Sequence, residues 1–107
     1  MSRKRADRRL FYRRTFLNRR GFNAGAYLIA EVELRPGRDG TDVHASFDVA
    51  DCNRLVSLDF YVSSHDGPRE RANVVHKARL LRDTLIAFTE QLEGALEHCA
   101  PDDPTGD

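Results

Sequence analysis

No long hydrophobic run occurs in this sequence: the longest nearly apolar stretch, Ala24 to Ala30, stops at Glu31. That is far short of the roughly 20 residues a membrane-spanning helix requires. The N-terminus is basic, yet no apolar segment of about 7 to 15 residues follows it, so no secretory leader is expected and a cytoplasmic location is. Cysteine is scarce. Cys52 and Cys99 are too few for a disulfide scaffold and lack the CxxC or Cys/His spacing of a zinc site, so both are read as plain thiols. A glycine-rich phosphate loop is also missing, because Gly21, Gly25, Gly37 and Gly40 fall between strands and open no helix. His44, His65, His76 and His98 match no metal-ligand spacing, so neither a metal nor a cofactor is expected. Internal repeats are absent as well.

Lysine is nearly missing too: Lys4 and Lys77 are the only two, and arginine carries the rest of the positive charge. The formal net charge of zero hides a strong asymmetry. Through Arg20 the chain holds nine basic residues against one acid, Asp7, whereas the remainder holds eight basic residues against sixteen acidic ones. A cationic arm is joined to an anionic body.

At 107 residues, with 40% apolar and 32% charged side chains, the chain suits one modest folded domain. Strict alternation from Thr41 to Ser63 predicts two strands. Val43, Ala45, Phe47 and Val49 share a face in the first, and Val56, Leu58, Phe60 and Val62 in the second. Asp51-Cys52-Asn53-Arg54 supplies the turn, since short Asx side chains tolerate tight backbone. Pairing Ala50 with Leu55 sets Phe47 opposite Leu58 and Ala45 opposite Phe60, with every apolar side chain on one side. Upstream, Tyr27 to Arg35 reads as a strand with Leu28, Ala30, Val32 and Leu34 inward, ended by Pro36-Gly37. Leu10 to Leu17 reads as an edge strand whose alternation is interrupted by Arg13 and Arg14.

After Asp66-Gly67-Pro68 the period changes. Val74, Ala78, Leu81, Leu85, Phe88, Leu92, Ala95 or Leu96, and Cys99 step by four and three, the stripe of an amphipathic helix over roughly residues 70–98. Either Pro68 after Gly67 or a cap at Asn73 would start it. The expected architecture is α+β: a three- to four-stranded antiparallel meander with one long C-terminal helix packed on one face. Residues 1–9 are expected to form a mobile basic arm, 10–99 a single domain, and 100–107 a disordered acidic tail.

Such a helix outruns the sheet, so its stripe should be covered by the N-terminal segment, through Phe11, Phe16 or Phe22, or by a second copy, in which case Phe88, Leu92, Leu96 and Cys99 are the expected contacts of a homodimer. Its charges point the same way. Arg69, Arg71, Lys77, Arg79 and Arg82 crowd the N-terminal half and Glu90, Glu93 and Glu97 the C-terminal half, against the macrodipole. An antiparallel partner would set basic halves against acidic ones. The plainer reading is a monomer with solvated charges.

Three arrangements could carry chemistry. Arg8, Arg9, Tyr12, Arg13, Arg14, Arg19 and Arg20, interleaved with Phe11, Phe16 and Phe22, have the texture of a surface for single-stranded nucleic acid. The plainer reading is an edge strand kept soluble by its arginines. On the outer hairpin face, His44 opposite Tyr61, Ser46 opposite Asp59 and Asp48 opposite Ser57 are side chains that hydrolases use. A flat sheet face nevertheless lacks the water-excluding pocket that acid–base chemistry needs, and an ordinary polar surface explains all six. Finally, the four histidines are read as surface residues.

The stretches Thr15–Phe22, Ala26–Glu33 and Val49–Phe60 resemble short uncharacterised proteins of actinobacteria and their phages, a resemblance that implies no activity. Strands followed by a C-terminal helix are also similar to PC4-like single-stranded DNA-binding domains. The present chain has a longer predicted helix and carries its basic residues in an arm. A non-enzymatic binding module is therefore expected, contacting nucleic acid through the arginine-aromatic segment. The alternative is a homodimeric protein-interaction module, accessory or inhibitory, using the helix, and no small-molecule substrate is evident.

Overall fold

A computed structural model of the chain describes residues 7–99; residues 1–6 of the predicted arm and the predicted tail at 100–107 lie outside the described residues. Four strands and one helix follow in chain order: β1 (Arg8–Phe16), β2 (Tyr27–Pro36), β3 (Thr41–Asp51), β4 (Arg54–Asp59) and α1 (Pro68–His98). The strands form one open antiparallel sheet in the order β1-β2-β3-β4. The protein is thus an α+β meander with one long C-terminal helix. By its backbone contacts the chain divides into two compact units between Val74 and Val75. No described helix is long and apolar enough to cross a membrane.

Register in the central hairpin is the one that alternation dictates. Ala50 pairs with Leu55, Val49 with Val56 and Phe47 with Leu58, and the Phe60 amide donates to the Ala45 carbonyl at 2.9 Å. One slip of a residue would turn every apolar side chain to the other face, so a strictly alternating sequence fixes its own register. β4 ends at Asp59, earlier than the alternation through Ser63 implies. The chain then touches β3 once more, where Val43 and Val62 exchange two backbone hydrogen bonds of 2.8 and 2.9 Å.

β1 is real and starts at Arg8, inside the segment expected to be a free arm. Its ladder with β2 carries an irregularity between Arg9 and Phe11, where Leu10 is one residue too many. This extra residue is why the alternation of the strand is hard to read.

Local chemistry sets the turns. Cys52, at the first central position of the β3–β4 hairpin, has φ +57°, and it is the only non-glycine described residue with positive φ. Positive φ confined to that position is the pattern of a type II′ turn, in which glycine is preferred. The sequence points instead to the Asx residues as the tolerant ones, and the structure puts the unfavourable backbone on the cysteine. At the start of α1, Pro68 takes the first helical position and Glu70 accepts a hydrogen bond from the Gly67 amide at 3.0 Å. That contact is half of a capping box, and it decides for the earlier of the two expected starts.

Burial is slight. Ala26, Ala50 and Val62 are the buried apolar residues among those described. Most of β2 and of β3 is half-buried, whereas every residue of β1 is exposed. No residue of α1 is buried.

Replacing Cys52 by glycine should relieve the left-handed strain of an L-residue, a gain of about 1 kcal/mol. Thermal denaturation followed by circular dichroism should show a higher midpoint for Cys52→Gly and a lower one for Cys52→Val, whose branched side chain suits this backbone least.

Candidate nucleic-acid interface

Because directly opposed residues of an antiparallel pair point to the same side, the register assigns each β1 side chain to a face. Arg8 lies opposite Leu34, Phe11 opposite Val32, Arg13 opposite Ala30 and Thr15 opposite Leu28. These belong to the apolar face. Continuing through β3 and β4, Phe11 begins a row with Val32, Ala45 and Phe60, and Arg13 begins one with Ala30, Phe47 and Leu58. The Arg13 guanidinium lies over the Phe11 ring, 5.6 Å from its centroid. In the alternation of this face the sole acidic position is Asp51, at the hairpin end, opposite Arg54.

The other face is different. Arg9 lies opposite Glu33, Tyr12 opposite Glu31, Arg14 opposite Ile29 and Phe16 opposite Tyr27. Asp42, His44, Ser46 and Asp48 continue this face on β3, with Ser57 and Asp59 on β4. Arg9 stands 4.5 Å from the Tyr12 ring centroid and is tied to Glu31 at 2.8 Å. Arg35 hydrogen-bonds the Glu33 carboxylate, which raises its pKa, and lies 3.4 Å from His44 Nδ1. His44 in turn meets Tyr61 edge-on at 4.8 Å. Five carboxylates therefore answer the arginines of this side, Glu31, Glu33, Asp42, Asp48 and Asp59. An anionic ligand would be repelled here.

The seven predicted contact residues are thus not one cluster. Arg8 and Arg13 share the apolar face, Arg9, Tyr12 and Arg14 share the acidic one, and Arg19 and Arg20 sit in the β1–β2 connection near Gly21, whose φ is +97°. Among the described residues no ion pair engages Arg8, Arg13 or Arg14. Phe11, outside the predicted set, stands between the two arginines of the apolar face. Its place followed from the extra residue at Leu10, for which the sequence carries no signal.

The predicted dimer residues Phe88, Leu92 and Leu96 lie on α1 and Cys99 directly follows it, its amide bonded to the Ala95 carbonyl, all four exposed. The histidines are dispersed: His44 on the sheet, His65 with its Nε2 3.0 Å from an Asp39 carboxylate oxygen, His76 and His98 on α1. Among the described residues no group of His, Cys, Asp or Glu is placed to hold a metal ion. Both thiols are free. No protein-family model matches this chain, and no curated protein or solved structure matches it either.

The face assignment can be checked by deletion. Removing Leu10 takes out the unpaired residue and should leave thermal stability within about 1 kcal/mol of the parent. Removing Tyr12 should cost more, because it turns Phe11 toward the carboxylates opposite Glu31, leaves only Leu10 in its place opposite Val32, and deletes the ring that Arg9 packs on.

Proposed function

We propose that this protein is a non-enzymatic binding module for single-stranded nucleic acid, contacted along the β1 rim of the apolar sheet face. The observation that carries this reading is the sorting of charge by strand alternation: Arg8, Phe11 and Arg13 share a side whose sole acidic position is at the far hairpin. Guanidinium groups pair with phosphates, and aromatic rings stack on unpaired bases without regard to sequence. Phe11 is 43% exposed at the rim, with Phe60 across the same row and Phe47 in the next, so splayed bases would have a line of apolar side chains to rest on. Arg19 and Arg20, both exposed, extend the positive charge past the end of the strand. Duplex is a poorer fit, since its bases offer no free faces to stack.

Arginine contacts to phosphate release counterions, at about 0.7 in the slope of log affinity against log salt for each contact on a single strand. Replacing Arg8 and Arg13 together by alanine should lower that slope by about 1.4 in fluorescence-anisotropy titrations with a mixed-sequence oligonucleotide. Phe11→Ala should cost about 1 to 3 kcal/mol at constant slope. Replacing Arg9 and Arg14 instead should change binding far less. Equal losses from both arginine pairs, or no binding at 20 to 50 mM salt (roughly the range where such contacts are strongest), would refute the proposal.

A further inference from the structure

α1 runs unbroken for 31 residues, Pro68 to His98, with no buried residue. A helix held by backbone bonds alone gains little in water, because most helical stability in proteins comes from packing an apolar face. Here that face is well developed and exposed: Leu81 at 42%, Leu85 at 59%, Phe88 at 60% and Leu92 at 45%. The charges make the isolated helix still less favourable. Arg79 and Arg82 lie in its basic N-terminal half and Glu90, Glu93 and Glu97 in its acidic C-terminal half, opposing the helix dipole.

The spacing of the stripe is stricter than amphipathicity requires. From Ala78 the apolar positions follow a heptad repeat, with Ala78, Leu85, Leu92 and Cys99 in one core position and Leu81, Phe88 and Ala95 in the other. A repeat of 3.5 residues keeps a seam turned toward one partner helix along a left-handed supercoil.

We infer that α1 pairs with α1 of a second copy of this chain in an antiparallel two-stranded coiled coil, with its twofold axis between Ile86 and Ala87. In that register Leu85 meets the second copy's Phe88, Leu81 meets its Leu92, and Ala78 meets its Ala95. Large side chains face large ones beside the axis, and small face small farther out. Each layer joins the two kinds of core position, as antiparallel pairing requires. The same register brings the net basic N-terminal half of one helix, with Arg79 and Arg82, beside the net acidic C-terminal half of the other, with Glu90 and Glu93, Asp83 at the level of the second copy's Glu90 being the exception. A parallel pair would instead set arginines beside arginines and glutamates beside glutamates. The charge of the two halves therefore favours the antiparallel direction, and the core layers, large against large and small against small, are self-complementary, which fits a second copy of this chain.

The two directions separate cleanly through Cys99. In a parallel pair the two Cys99 thiols meet, whereas the antiparallel register puts each Cys99 beside the second copy's residue 74. Residues 74 and 99 of one helix are about 37 Å apart along its axis, too far to join within a chain. The test uses the full chain carrying Cys52→Gly, with and without Val74→Cys, oxidised by diamide. A covalent dimer is expected with Val74→Cys and not without it, the peptide map linking residue 74 to residue 99. Sedimentation equilibrium should give twice the 12.2 kDa chain mass, and Leu85→Glu should raise the dimer dissociation constant at least about tenfold. A monomer at 100 µM (roughly a hundredfold above a micromolar dissociation constant) would overturn the inference. So would a Cys99–Cys99 link without a 74–99 link.

Discussion

Backbone pairing is the continuous interaction of this sheet, because few of its side chains are fully withdrawn from water. Ala26, Ala50 and Val62 are small, and burying all three yields less than burying a pair of leucines or phenylalanines would. The ladders compensate in part. β2 and β3 pair over their whole length from Tyr27–Ala50 to Pro36–Thr41. Each hydrogen bond nets only about 0.5 to 1.5 kcal/mol, and ordering a residue costs at least as much. A fold so constituted has apolar side chains to spare, and the uses proposed for them, base stacking at the β1 rim and helix pairing along α1, both remove that surface from water.

Those two uses do not compete for residues. The nucleic-acid surface is drawn from β1 and the row of sheet side chains behind it, and the coiled coil from α1 alone. A twofold pair of chains would then carry two equivalent rims. Two weak sites on one assembly engage a single strand far more tightly than either does alone, provided that the strand can span them. Modest affinity at each rim is compatible with useful binding.

Much of this was legible in the sequence, and the exceptions have physical causes. The β3–β4 register could be read because Val43, Ala45, Phe47 and Val49 alternate without a break, and any other pairing would wet them. The helix was legible from the change of period, whereas its start lay between Pro68 and a cap at Asn73 until the Gly67–Glu70 hydrogen bond decided for Pro68. The faces of β1 were not, since an extra residue leaves no compositional trace and shifts the phase of all that precedes it. Nor could residue types show that Cys52, not Asn53, would take the left-handed backbone, because turn residues are ranked by tolerance and the turn type is fixed by the strands. The seven predicted contact residues were found as a group, but their division between an apolar and an acidic side needed the register.

An open sheet also has two rims, and they are defended unequally. β4 is only six residues long and offers a short template to any passing strand. β1 is nine residues long and fully exposed, a far larger hazard, yet it bears Arg8, Arg9, Arg13 and Arg14. Two such rims meeting edge to edge would bring eight guanidinium groups together, a like-charge contact that disfavours pairing of β1 with its own kind. The same positive charge that is proposed to receive a polyanion would oppose edge-to-edge growth of the sheet.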